Sequence, residues 1–196
     1  MTTISTEEIK SLRDETGLSI MQCKKALEEA GGDKEKARIL LQKKGGEIAS
    51  KKGDRTLGAG SVASYIHASG LIGTMVELSC ETDFVAKNPE FKAIAYDIAM
   101  HVAATSPKYL KREDISEEDR AIVAETFKAE VADKPKEMQE KILLGKVDSY
   151  FADKVLLDQP FIKNPDQKIQ DIINGAVQKF GERTEIRRFV RFSVSE

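Results

Sequence analysis

The pattern of apolar and polar positions divides the chain into an N-terminal helical part and a mixed remainder. Up to about residue 46, apolar residues recur every three or four positions, as they do on one face of an α-helix. Capping residues and glycine stops predict three helices here. These helices are expected to start after Ser5, Ser19 and Asp33 and to end at Gly17, Gly31-Gly32 and Gly45-Gly46. Three helices in about 45 residues enclose only a small core. We therefore expect this three-helix module to present a surface rather than to perform chemistry.

From Ser61 the pattern changes to a period of two, which is typical of strands. Val62–His67 and Leu71–Cys80 are predicted to pair through the short connection at 68–70. In the second strand, the alternation puts Val76, Leu78 and Cys80 on one face. The last ten residues alternate again and predict a strand with one largely apolar face. That face is expected to carry Ile186, Arg188, Val190, Phe192 and Val194.

Helical periodicity fills the region between these strands. Asn88 is expected to cap a helix with Pro89 at its first position. Further helices are predicted after Ser116, from near Pro135, over Val147–Val155 and from Pro165 to Phe180. Strands far apart in sequence, with helices grouped between them, predict an α+β fold in which helices pack on a small antiparallel sheet.

Small and charged residues between the two parts indicate a connection. The stretch from 48 to 60 is rich in glycine and lysine and lacks a clear apolar period. We therefore expect a three-helix module at 1–47, a linker at 48–60 and an α+β core at 61–196.

Composition narrows the classes of function. The chain has 196 residues, with 31 Lys and Arg against 33 Asp and Glu, so its net charge of −2 gives no reason to expect direct nucleic-acid binding. No apolar run approaches the roughly 20 residues of a membrane span, and the acidic N-terminus is unlike a targeting peptide. These features predict a soluble cytoplasmic protein. Only 8 charges fall between residues 55 and 105, so this window is expected to be buried in the core or against a partner.

Candidate catalytic and metal-ligating residues are scattered. Cys23 and Cys80 are far apart, which predicts buried reduced thiols. His67 and His101 have no ligating neighbours at a suitable spacing, and His101 is expected to be either a helix-edge surface residue or a contact residue. The glycine pattern at 58–63 opens a strand, whereas a dinucleotide-binding loop opens a helix. The sequence therefore predicts a protein that is not an enzyme and uses no metal or cofactor.

The segment at 80–88 has no structural explanation from periodicity. It joins a strand to a helix and contains Asp83 and the large apolar Phe84. Two interpretations are open. Phe84 either tucks back into the core while Asp83 caps a turn, or it protrudes as an anchor for a partner's pocket. Residue chemistry alone slightly favours the first.

Residues 81–88 resemble the TDFVA signature of the elongation factor Ts family. Similarity to that family runs in order from about residue 8 to residue 192. The other matching stretches are 12–17, 20–27, 99–104, 159–161 and 187–192. The resemblance implies a ubiquitin-associated-like three-helix module followed by an α+β core. It also implies guanine-nucleotide exchange on elongation factor Tu, in which GDP release is accelerated.

The resemblance also implies roles for particular residues. Phe84 would enter an apolar pocket in the G domain of elongation factor Tu, and Asp83 would help to disturb the Mg²⁺ region of the bound nucleotide. Thr82 and Val85 would complete that loop. The first module would contact the G domain through Arg13, Ile20 and Met21, and His101 is a further candidate contact in the core.

Two features depart from the family pattern. Ile20 stands where many members have Met, so the apolar contact is kept without the adaptable thioether. The chain is short, and we expect no room for the duplicated core or the coiled-coil insertion of longer members. We expect a second copy to supply the missing half by pairing across a strand edge, which predicts a homodimer and a 2:2 complex. The alternative function is a non-catalytic adaptor of the ubiquitin-associated type, which leaves Thr82–Val85 without a purpose.

Overall fold

The computed structural model describes residues 4–132 and 135–194 and contains helices and strands in an α+β arrangement. The helices are α1 (Thr6–Thr16), α2 (Ile20–Glu29), α3 (Lys34–Lys51), α4 (Asp83–Ala86), α5 (Pro89–Thr105), α6 (Glu117–Val131), α7 (Lys136–Ala152) and α8 (Ile169–Phe180). The strands are β1 (Ala59–Ile66), β2 (Ile72–Cys80), β3 (Pro160–Phe161), β4 (Asn164–Lys168) and β5 (Thr184–Ser193). The predicted fold class is confirmed. Residues 1–3 and 195–196, at the outer ends of the two predicted domains, lie outside the described residues.

The first two helices begin and end where capping predicts. Ser5 and Glu8 exchange hydrogen bonds in a capping box, and Ser19 does the same with Gln22. Gly17 ends α1 in the left-handed conformation at φ 66°. With α3, these helices enclose a small core of Leu12, Leu18, Cys23, Ala26, Leu27, Ala37 and Leu41.

The third helix does not stop at its glycines. It continues through Gly45 and Gly46 to Lys51, so the prediction of a helix end there is wrong. The reason is tertiary, because α3 packs against α8 at this point. A Cβ at position 45 would lie only 3.2 Å from the carbonyl oxygen of Asn174. The glycine therefore permits a close helix crossing, and part of the predicted linker is helical.

The core is a three-stranded antiparallel sheet in the order β1-β2-β5, with α5 across one face. The β1–β2 hairpin and the inward face of β2 are as predicted, although β1 starts at Ala59, inside the predicted linker. The predicted apolar stripe of α5 packs on this sheet, and the Thr74 hydroxyl donates to the Ala99 carbonyl oxygen at 2.8 Å. Phe91 and Ile98 lie fully buried at the centre of this core.

A β-bulge changes the faces of the last strand. Leu78 pairs with Ile186 but Glu77 pairs with Arg188, so the backbone of Arg187 lies opposite no residue of β2 in the register. Ile186 is consequently buried with the core, and Arg188 lies on the opposite face. The prediction of one continuous face for these residues is wrong, because an extra residue reverses the alternation.

The segments between α5 and β5 also differ from the prediction. The two helices expected from Pro135 and over Val147–Val155 are one helix, α7, and β4 replaces the expected first turn of α8. Helices α6 and α7 form an antiparallel pair, in which Phe127 contacts Tyr150 and Glu130 binds Lys146 at 2.6 Å.

Candidate functional site

The turn between β2 and α5 displays one large apolar side chain. After β2 ends at Cys80, the single helical turn α4 buries Val85 and Ala86 in the core. Phe84 points away and is 83% exposed. The interpretation that Phe84 tucks back into the core is therefore wrong. A phenyl ring exposed to this extent on an anchored turn is typical of a protein contact site.

A charged pair lies beside the exposed ring. The Asp83 carboxylate accepts a hydrogen bond from Lys87 Nζ at 2.5 Å, and both side chains are exposed. Lys87 lowers the pKa of Asp83, so this carboxylate is ionised at neutral pH. The pair is neutral overall and places an ionised carboxylate beside an apolar anchor.

The base of the turn is tied to a distant part of the chain. The Thr82 hydroxyl donates to Glu182 Oε1 at 2.6 Å, and the Thr82 backbone N–H donates to Glu182 Oε2 at 3.0 Å. On the inner side, the Cys80 thiol donates to the Thr82 carbonyl oxygen at 3.2 Å. Burial raises the pKa of this thiol, so Cys80 is a neutral packing residue here.

The predicted contact residues of the first module are all at the surface. Ile20 and Met21 open α2 and are 58% and 74% exposed. Arg13 lies in the last turn of α1, where its guanidinium is 3.4 Å from Asp14. Ile20 and Met21 are adjacent exposed apolar side chains and form a second candidate contact patch.

His101 has a different environment from the one expected. It is fully buried, so the interpretation as a helix-edge surface residue is wrong. The backbone N–H of Ile162 donates to Nδ1 at 3.3 Å, and Nε2 lies 2.9 Å from Gln159 Oε1. Burial lowers the pKa of His101, which favours the neutral ring. The structure does not bring His101 together with the turn, and its role as a contact stays a prediction.

The face of the sheet opposite α5 is open and largely apolar. Met75 pairs with Val190, and Val62 pairs with Glu77, which is two residues from Met75 along β2. Paired residues and residues two apart in a strand share a face, so Val62, Met75 and Val190 lie together on this side. Phe192 lies on the same face and is 68% exposed. Glu77 and Arg188 also lie on this face and form an ion pair at 2.6 Å, and Arg187 lies 3.8 Å from the same carboxylate. We call these residues the open sheet face.

Sequence reasoning missed both Glu182 and the open sheet face. Glu182 lies 100 residues from Thr82, and no local pattern connects the two. The alternation of β5 was a usable signal for an apolar face, but the bulge conceals which side of the sheet it occupies. The turn at 82–85 stands out in the sequence itself, and its role as a contact site stays a prediction.

The described residues contain no group of three or more potential metal ligands. None of the helices within 4–132 and 135–194 has the length and apolar character needed to cross a membrane. The turn, the first module and the open sheet face are the candidate contact surfaces of the described residues.

An exposed phenyl ring on an anchored turn is typical of proteins that work by binding other proteins. Comparison with known proteins identifies which family this is. The family described as "Elongation factor TS" matches residues 8–196. The chain is similar to the elongation factor Ts of Thermodesulfovibrio yellowstonii, with 48% identity over 98% of this chain and 97% of the relative. It is also similar to that of Thermotoga petrophila, with 45% identity over 98% and 97% of the two chains. The chain belongs to the elongation factor Ts family, a family of translation elongation factors.

Proposed function

We propose that this protein is a guanine-nucleotide exchange factor that binds elongation factor Tu·GDP and promotes release of GDP. The turn at 82–85 enters the G domain and destabilises the Mg²⁺ site of the bound nucleotide. Membership of the elongation factor Ts family supports exchange on this partner. The observation that carries the loop mechanism is the exposure of Phe84 on a turn whose other apolar residues are buried.

The physical basis of the proposal is that the Phe84 ring is exposed in the free protein and becomes buried in the complex. Burying an exposed Phe side chain in a partner's pocket contributes about 1.5–3 kcal/mol. The Asp83 carboxylate then competes with the nucleotide phosphates for the Mg²⁺ that neutralises their charge, which weakens the binding of GDP. By linkage, GDP weakens binding of this protein to the same extent as this protein weakens GDP binding. The complex is therefore transient when nucleotide is plentiful.

The first module supplies a second contact in this proposal. Ile20 and Met21 bind an apolar part of the G domain, and Arg13 contributes a charged contact from α1. These residues contribute affinity without touching the nucleotide. His101 is included as a candidate contact in the core, which requires the partner to reach a side chain that is buried in the free protein.

The test is release of labelled GDP from elongation factor Tu in the presence of catalytic amounts of this protein. We expect acceleration by the parent protein and a loss of about tenfold or more with Phe84→Ala, because about 1.4 kcal/mol is a factor of ten. Leu144→Ala is the matched control, since this residue on α7 is similarly exposed and outside the turn. Phe84→Ala is expected to change the free energy of unfolding by less than about 0.5 kcal/mol, because its ring makes little contact with the core.

Each outcome of this assay has one meaning. No acceleration by the parent protein overturns the exchange function. If the protein binds elongation factor Tu without releasing GDP, the non-catalytic adaptor is the correct function. Acceleration that survives Phe84→Ala unchanged overturns the role of the anchor.

We also propose that the protein forms a homodimer through the open sheet face, giving a 2:2 complex. The sequence predicts pairing at a strand edge, but β5 is interrupted by a bulge at its edge, and the apolar residues lie on the face. A second copy related by a two-fold axis would cover Val62, Met75, Val190 and Phe192, while Glu77 and Arg188 keep their ion pair within each chain.

Sedimentation equilibrium tests the dimer. The parent protein is expected to be dimeric at micromolar concentration, and Phe192→Glu is expected to be monomeric because it places a charge in the apolar contact. Ile122→Glu, at an exposed position on α6, is the control and should stay dimeric. A monomeric parent protein under these conditions removes the proposal.

The proposed partner also defines where the protein acts. Elongation factor Tu works in translation, so we place this protein in the cytoplasm. It needs no direct contact with nucleic acid, since its net charge is −2 and its proposed contacts are with protein.

A further inference from the structure

We propose that Glu182 is a positioning residue that holds the turn at 82–85 in the orientation required for exchange. This inference rests on the proposed function and adds to it a residue outside the turn. Glu182 makes no contact with the partner in this proposal. It acts through Thr82, the residue that immediately precedes α4.

Two hydrogen bonds join Thr82 to Glu182. Both oxygens of the Glu182 carboxylate are used, one by the Thr82 hydroxyl at 2.6 Å and one by the Thr82 backbone N–H at 3.0 Å. Hydrogen bonds to an ionised acceptor are stronger than neutral ones, and a two-point contact also fixes direction. Thr82 occupies the capping position of α4, yet its side chain caps no backbone N–H of that helix. Its hydroxyl is committed to Glu182 instead.

The residues on either side of Glu182 are themselves fixed. Gly181 ends α8 in the left-handed conformation at φ 71°, and its N–H donates to the Val177 carbonyl oxygen at 2.9 Å. On the other side, the Arg183 backbone N–H donates to Glu81 Oε1 at 2.6 Å. Glu81 directly precedes Thr82, so the two short segments are joined reciprocally. The pKa of Glu81 is lowered chiefly by this bond from Arg183, which keeps its carboxylate ionised.

Orientation matters because Phe84 has little else to hold it. Its ring is 83% exposed, so the direction in which it projects is set by the backbone of the turn. Thr82 is extended at φ −126° and ψ 156°, and the chain enters α4 directly after it. Freeing Thr82 allows the turn to sample other orientations. The apparent affinity then falls in proportion to the fraction of molecules that present the ring correctly.

The contribution to overall stability is expected to be small. Thr82 is exposed, whereas Val85 and Ala86 anchor the other end of the turn in the core whether or not Glu182 is present. A positioning role for Glu182 can therefore be distinguished from a purely structural one. Loss of a positioning residue changes the order of the turn and the dependence of GDP release on the concentration of the partner, but leaves the melting temperature nearly unchanged.

The experiment compares the full-length parent protein with Glu182→Ala, using Glu185→Ala as the matched control. Glu185 follows in the same segment and binds Arg183 at 2.8 Å but makes no bond to the turn. Amide hydrogen exchange at Thr82 is measured without any partner, together with the melting temperature. GDP release is then measured against the concentration of elongation factor Tu·GDP. A double-mutant cycle with Thr82→Val tests whether the effect passes through Thr82.

We expect Glu182→Ala to raise amide exchange at Thr82 and to raise the KM for Tu·GDP by about tenfold, with kcat retained. Thr82→Val combined with Glu182→Ala should raise the KM no further than Glu182→Ala alone.

Unchanged amide exchange at Thr82 overturns the inference whatever the activity. A parent protein that accelerates GDP release, with a Glu182→Ala variant of equal KM, overturns the inference and leaves the proposed function intact. A parent protein that does not accelerate release overturns both. A large fall in melting temperature with additive effects in the cycle assigns Glu182 to folding and overturns its positioning role.

Discussion

Two adjacent glycines in α3 offer a direct test of how the first module is attached to the core. Gly45 and Gly46 occupy the same helix interior, and replacing either with Ala should gain about 1 kcal/mol of helix propensity. Their surroundings differ. A Cβ at position 45 would lie 3.2 Å from the backbone oxygen of Asn174 and 3.1 Å from Gln178 Oε1. A Cβ at position 46 would meet only Asn174 Nδ2, at an ordinary 3.5 Å.

The expected energies follow from these distances. Gly46→Ala should stabilise the protein by about 0.5–1 kcal/mol, since the new methyl group is accommodated without movement. At position 45 the same gain is opposed by overpacking against backbone, which costs about 1–3 kcal/mol because α3 or α8 must move. The two variants should therefore differ by about 1–3 kcal/mol in the free energy of unfolding. Gly45→Val should be less stable still.

Urea unfolding followed by helical circular dichroism measures this difference. Both variants replace glycine with alanine at neighbouring positions, so they affect the unfolded chain almost equally. The difference between their free energies of unfolding therefore reports the contact with α8. If Gly45→Ala and Gly46→Ala are equally stable within about 0.5 kcal/mol, α3 does not cross α8 at Gly45. In that case the first module is a separate unit, joined by a freely hinged helix.

Two shorter predictions concern the core beneath the site. Burial lowers the pKa of His101, so the unfolded chain binds more protons, and stability is lost as the pH falls below the unfolded value of about 6.5. His101→Asn, which keeps an acceptor for the Ile162 N–H, should remove this loss in urea unfolding measured from pH 7.5 to 5.5, and an unchanged pH dependence would contradict it. Phe91→Ala should cost about 3–5 kcal/mol in thermal or urea unfolding, because Phe91 is fully buried, and a cost near that of Phe84→Ala would contradict the assigned core.

Local signals in the sequence predict much of this fold for a physical reason. A capping box involves residues three apart, and helical or strand periodicity is set within a few turns or residues. The starts of α1, α2 and α5 and the inward face of β2 depend only on such short-range rules. Whatever depends on contact between distant segments was predicted less well. Gly45 is a helix stop by local rules, and only the proximity of α8 makes it a packing position.

The bulge at Arg187 shows a second limit. Alternation along a strand predicts two faces but not where an extra residue exchanges them. A single unpaired residue moves Ile186 into the core and leaves Arg188 and Phe192 on the open sheet face. The sequence therefore indicates an apolar face without showing which side of the sheet it occupies. The pairing with β2 decides this, and β2 lies about 100 residues earlier in the chain.

The candidate site combines both kinds of information. The composition of residues 82–85 identifies the turn as unusual, yet chemistry alone cannot decide whether an aromatic ring there is buried or displayed. The fold decides it by burying Val85 and Ala86, since one helical turn cannot direct three consecutive side chains into the same core. An exposed ring is useful to a partner only if its orientation is kept, because mobility reduces the population able to bind. Glu182 meets this requirement in our proposal, because it lies just after α8 and accepts two hydrogen bonds from Thr82 at the base of the turn.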